Sequence, residues 1–183
     1  MATGRDFLVT AVLITREDEY PKDVVLDFEF DEVIVCTRCP HVFRRYELAA
    51  EARNEIIYFQ DDDAVINIKD LWTHYDGRRI THAITPGHKK IYEGTGVTLI
   101  GWGSFFPKHM VTEFVEEQQT WRDLVGDQVF EAEADRVFTF RHGPHNSVVM
   151  PIWQFRRPVR MSDRPDHYRT KDRVIKTLKE WAG

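Results

Sequence analysis

Apolar residues run without a polar face from Phe7 to Thr15 (FLVTAVLIT), rich in β-branched and aromatic types, which predicts a strand buried on both sides of a parallel sheet. Pro21 suits a helix start, so PKDVVLDFEF is expected to be a short helix leading to a second strand, EVIVCT, at residues 32–37. HVFRRYELAAEARNE combines good helix formers with apolar spacing at Val42, Tyr46, Ala49 and Ala52, and leads to a third strand, EIIYFQ, at 55–60. Strand, helix, strand, helix, strand is the pattern of a doubly wound α/β sheet. Beyond it the pattern loosens. IKDLWTHYD reads as a short helix, RRITHAI and VTLIGWGSFF as strands, and PKHMVTEFVEEQQTWRDLV as a helix opened by Pro107. Thr170 can cap a last helix whose stripe is Val174, Ile175, Leu178 and Trp181.

The third strand runs straight into Asp61, Asp62 and Asp63 before the chain turns apolar again at Ala64, Val65 and Ile66. Adjacent carboxylates repel, so something must neutralise them: a cation or a set of donors. Ligands of open α/β sheets bind outside the carboxyl ends of the strands, and these aspartates stand at such an end. Hard divalent cations favour carboxylate oxygens, and one or two carboxylates plus substrate phosphates is their usual setting. If the strand continues, Asp61 and Asp63 share a side and Asp62 faces the other. The bland alternative is an acidic turn capping the next helix. A calcium loop of the EF-hand type fails, because Ile66 and Trp72 stand where it needs Gly and Glu.

At 183 residues, 42% hydrophobic and 30% charged, the chain has the composition of one soluble globular domain, expected to span 1–183. No apolar run reaches the roughly 20 residues of a membrane helix, and the N-terminus reads as a strand, not a signal peptide. With only Cys36 and Cys39, a reducing cytoplasm is the expected compartment, that of the host if the chain is of phage origin. The formal charge of −5 is unevenly spread: residues 156–179 hold nine Lys/Arg against three Asp, a balance of +6 within the basic C-terminal segment 156–183. A basic tail on an acidic body suits an anionic partner.

The segment RRYELAAEARNEIIYFQDDD, followed some forty residues later by TLIGWGSFFPK, resembles nucleotide-sugar-dependent glycosyltransferases of the GT-A type, in particular the exostosin-like group and short phage enzymes, over roughly residues 7–145. The resemblance implies a single-domain, Rossmann-like mixed sheet flanked by helices. It implies transfer of a sugar from a nucleoside-diphosphate sugar, with UDP as the leading nucleotide, to a hydroxyl acceptor: a hydroxymethylated base in DNA, a saccharide or a protein. It assigns Asp61 and Asp63 to a Mn2+ or Mg2+ ion bridging the donor phosphates, and Thr15, Arg16, Arg45 and Asp62, with Asp61, to donor binding. Gly101, Trp102 and Gly103 would line the sugar and acceptor pocket. In the second acidic cluster, EAEADRVF, Asp135 and then Glu133 are the candidate general bases. His145, ahead of His142, is the candidate third metal ligand. Two departures are the short spacing from that cluster to the histidines and the small size of the chain.

CTRCPH follows a strand and precedes a helix, the placement of a thioredoxin-like redox pair, but with His41 it is one ligand short of a closed zinc site. Two further readings compete with the transferase: a non-catalytic module whose basic segment grips nucleic acid or another polyanion, and a metal-dependent phosphohydrolase or nucleotidyltransferase.

Overall fold

The computed structural model describes residues 7–155 and 166–183. Its centre is a mixed six-stranded sheet in the order β2-β1-β3-β6-β5-β7. The strands are β1 (Val9–Ile14), β2 (Glu32–Cys36), β3 (Ile56–Asp61), β5 (Thr81–Ile84), β6 (Ser104–Pro107) and β7 (Asn146–Val149). β1 pairs in parallel with β2 and β3, while β6 runs antiparallel to β3 and β5. The register of Ile14 with Cys36 on one side and Asp61 on the other brings three strand ends to one edge. A second ribbon pairs β4 (Ala64–Val65) with β8 (Trp153–Gln154).

Helices cover the sheet. α1 (Arg44–Ala50), α4 (Lys108–Glu116), α5 (Gln118–Val125) and α6 (Asp127–Arg141) close one face, where Phe43, Tyr46, Phe59, Phe106, Phe114, Phe130 and Phe138 form an aromatic core. α7 (His167–Ala182) joins this layer through the buried Val174 and Leu178. On the opposite face Ala11, Leu13, Phe28, Tyr58 and Phe105 pack with α2 (Ile68–Thr73). β1 and β3 are buried on both sides, which is why their sequences lack a polar face.

Several expectations are corrected. Residues 21–30 form no helix: Asp27 accepts a hydrogen bond from the Ile68 amide (2.9 Å), Asp31 accepts one from the Val9 amide (2.8 Å), and Phe28 sits between Phe30, Trp72 and Phe105. These side-chain bonds pin the segment irregularly, so the first crossover is a loop. Residues 97–103 are not strand; the chain turns there, and the Gly101 carbonyl accepts a 2.6 Å bond from the Asp61 amide. The helix expected over 107–125 is two, α4 and α5, meeting at Glu117. Thr170 does not cap α7: the helix begins at His167, and the Thr170 amide donates within it to the Asp166 carbonyl. α3 (Pro86–Tyr92), capped by Thr85, and α6 had no counterpart in the sequence reading. The basic stretch 156–165 lies outside the described residues.

Candidate functional site

A cavity of about 490 Å3 opens at the carboxyl ends of β1 and β3. Ile14, Thr15 and Arg16 come from the end of β1, and Asp61, Asp62 and Asp63 from the end of β3. Cys39, His41 and Val42 enter from the loop before α1, and Arg45 from α1 itself. Opposite stand His88 of α3, Trp102, Arg136 of α6, Gln154 of β8, and His167, Tyr168 and Lys171 from the first turns of α7.

The charge at the three aspartates is met residue by residue. Arg45, buried on α1, donates to Asp61 Oδ1 at 2.8 Å and lies 3.5 Å from Asp135 Oδ2. Burial works against its charge, but Asp135 and Asp61 outweigh it and hold the guanidinium protonated. Thr15 Oγ1 donates to Asp62 Oδ2 at 2.5 Å, and Tyr20 Oη donates to the Asp61 carbonyl at 3.1 Å. The Asp63 carbonyl accepts from the Phe155 amide at 2.8 Å, which ties β8 and Gln154 against the acidic edge.

Gly101 has a specific reason to be glycine. A Cβ built there would lie 2.0 Å from Asp61 Oδ2, so a side chain would evict the carboxylate. Gly103, at φ 129°, adopts a conformation that favours glycine, and a Cβ would strike Ile66 Cδ1 at 2.3 Å. Between them Trp102 meets the His88 ring edge-on at 4.7 Å and presents its indole to the cavity.

The remaining sequence candidates lie elsewhere. Asp135 does not line the cavity; it sits half-buried behind Arg45, accepting a 2.7 Å bond from Tyr46 Oη. Burial raises its pKa, the nearby Arg45 opposes that, and Asp61 raises it further. Glu133, at a kink in α6 (φ −118°, ψ 19°), is buried in an ion pair with Arg136, and His167 Nδ1 is 3.6 Å from its Oε1. Glu133 therefore stands behind the wall and holds two of its side chains, Arg136 and His167. His145 is not brought to the aspartates: its Nε2 donates to the Thr139 carbonyl at 2.5 Å, and its ring faces His82. His142 packs on Phe138, buried. Neither histidine lines the cavity.

A divalent cation would find two hard carboxylates lining the cavity here, Asp61 and Asp63. Among the described residues no three His, Cys, Asp or Glu side chains gather as a ready-made site. Such a donor set fits an ion that takes its other ligands from water and bound phosphates, the habit of Mg2+. Burial, then the adjoining Cys36, pushes the Cys39 thiol up to about 12, away from the thiolate a nucleophile needs.

Sequence reasoning missed Arg136, His167, Tyr168 and Lys171. The basic, amphipathic last helix was visible, but not that its first turns reach the aspartates.

The class so defined is an α/β protein with a mixed sheet and an acidic, cation-walled cavity at its strand ends. No protein-family model and no curated protein matches the chain. Among the described residues no helix is long and apolar enough to cross a membrane.

Proposed function

We propose that this chain is a metal-dependent glycosyltransferase of the GT-A type, moving a sugar from a nucleoside-diphosphate sugar to a hydroxyl acceptor. The observation that supports the reading is the meeting, in one cavity, of Asp61, Asp62 and Asp63 with Thr15 and Arg16 at the end of β1 and the Gly101–Gly103 loop. The nucleoside is read as lying beside Thr15 and Arg16, the diphosphate at the acidic edge, and the sugar against Trp102. In the reaction the acceptor oxygen bonds to the anomeric carbon, and the bond from that carbon to the diphosphate breaks with its electron pair leaving on phosphate. The hydroxyl proton passes to a base or to water.

Mn2+ or Mg2+, held by Asp63 and the outer side of Asp61, would supply charge that stabilises the departing diphosphate more in the transition state than in the ground state. Arg136 and Lys171, facing the same cavity, add cationic character against that anion. Arg45 has a different role: by holding Asp61 Oδ1 it fixes which oxygen faces the cavity.

The test is thermal stability against nucleoside diphosphates and nucleotide sugars, each with and without Mn2+, since a ligand that binds only the folded state raises the melting temperature. The expected result is a shift that needs both one nucleotide and metal, and that disappears in Asp63→Ala together with sugar transfer. Full transfer activity in Asp63→Ala would sink the reading. Release of inorganic phosphate from the donor without acceptor would replace it with phosphohydrolysis.

A further inference from the structure

A second groove of about 410 Å3 opens from the first, between the end of α3 and α7. Ile91, Tyr92 and Lys171 line both, so the groove adjoins the cavity that holds the aspartates. Its α7 wall is Lys171, Asp172, Ile175, Lys176, Lys179 and Glu180, the helical stripe beside the buried Val174 and Leu178. Two acids temper it: Asp172, and Glu180, whose Oε1 lies 3.7 Å from Lys176 Nζ on the surface, a contact of little weight. Beyond the groove's rim α7 adds the exposed Arg169 and Arg173, and α3 the exposed Lys89 and Lys90.

At the junction of the two spaces Tyr168 is 69% exposed, a flat ring left in solvent where the groove meets the cavity. Lys171 Nζ stands 5.8 Å from the centre of that ring and 5.4 Å from that of Tyr92. Lysines along a groove with an open aromatic face at its end form the arrangement that holds a single-stranded nucleic acid, phosphates on the cations and a base on the ring. Lys171, Lys176 and Lys179 spread over ~12 Å along the helix, one cation for each of up to three phosphates of a strand. The remainder of the chain, net acidic, repels the same strand and confines it to this wall.

We infer that the groove between α3 and α7 binds a single-stranded polynucleotide and presents its hydroxyl-bearing nucleotide to the donor cavity. The inference rests on the transferase reading and names the acceptor class for it. An exposed aromatic ring can stack only on an unpaired base, so the occupant is a single strand or a nucleotide drawn out of a duplex.

The experiment is fluorescence anisotropy of a labelled 12-nucleotide single strand with the full chain at 50 and 200 mM salt, run beside the nucleoside-diphosphate melting shift. Binding is expected to weaken by roughly tenfold or more between the two salts, as three phosphate contacts require. Lys176→Ala/Lys179→Ala, at exposed positions outside the donor cavity, is expected to cut oligonucleotide affinity about tenfold, flatten the salt dependence and leave the nucleotide shift unchanged. Tyr168→Ala is expected to weaken strand binding by about tenfold through lost stacking. No binding at 50 mM salt, binding indifferent to the lysine pair, or equal binding of heparin that ignores Tyr168→Ala would each overturn the inference. A nucleotide shift without strand binding defeats the groove and leaves the donor site; strand binding with these dependences and no nucleotide shift does the reverse.

Discussion

Gly101 carries more of the site than its size suggests. Its missing side chain is the space into which the Asp61 carboxylate fits, and its carbonyl receives the Asp61 amide. Gly101→Ala is therefore expected to displace the Asp61 carboxylate and abolish the metal-dependent nucleotide shift. The melting temperature of the unliganded protein should fall by only a few degrees, because the aromatic core is untouched. Retention of the full nucleotide shift in Gly101→Ala would show that Asp61 takes no part in binding. The three aspartates, puzzling as a run of like charge, are individually satisfied: Asp61 by Arg45, Asp62 by Thr15, and the backbone of Asp63 by Phe155. The sequence showed the charge; it could not show that Asp61 and Asp62 each have their own donor.

Among elements, α1 is the hinge between the acidic edge and α6. Arg45 and Tyr46, neighbours on this short helix, reach Asp61 at the end of β3 and Asp135 in α6. Removing the guanidinium leaves two partly exposed carboxylates without their shared cation, so Arg45→Ala is expected to lose about 1–3 kcal/mol in a urea titration. Asp135→Asn in the same background should recover part of that, because one of the uncompensated charges is gone. An additive loss in the double variant would argue that the two residues are not coupled. The helix was legible from its periodicity, and Arg45 was read as facing the diphosphate. The structure adds that one of its donors is already engaged by Asp61.

For the molecule as a whole, the balance of buried histidines sets its response to acid. His82, on β5, bonds to Ser147 Oγ of β7 at 2.8 Å, and burial, helped by His145, pushes its pKa down to about 4; burial, then Arg141, takes His142 to about 4 as well. Both sit below the unfolded value near 6.5. Between these limits the unfolded chain binds protons that the folded chain refuses, so stability is complete above pH ~6.5 and declines as pH falls toward ~4. For His82 the loss is roughly 3 kcal/mol across that window. Urea midpoints measured from pH 7.5 to 4.5 should fall steadily, and a flat profile from pH 7 to 5 would contradict the burial of these rings.

The amino-acid sequence by itself determined the strands that need no polar face, β1 and β3, and with them the parallel centre of the sheet and the acidic run at its edge. Local pattern suffices there, because a strand buried on both sides must be apolar throughout. It also determined the uneven charge that places cations on α7. Tertiary structure decided the rest. Residues 21–30 became a loop because their aspartates bond to distant amides, and 97–103 became a turn because Gly101 must meet Asp61. His145 went to Thr139, and Glu133 and Asp135 went behind the cavity wall, because the packing of α6 on α1 and α7 orients their side chains. Arg136, His167, Tyr168 and Lys171 came to line the same cavity as the aspartates across more than seventy residues of chain. Such meetings follow from how helices pack on a sheet, a relation between surfaces that no single stretch of sequence contains.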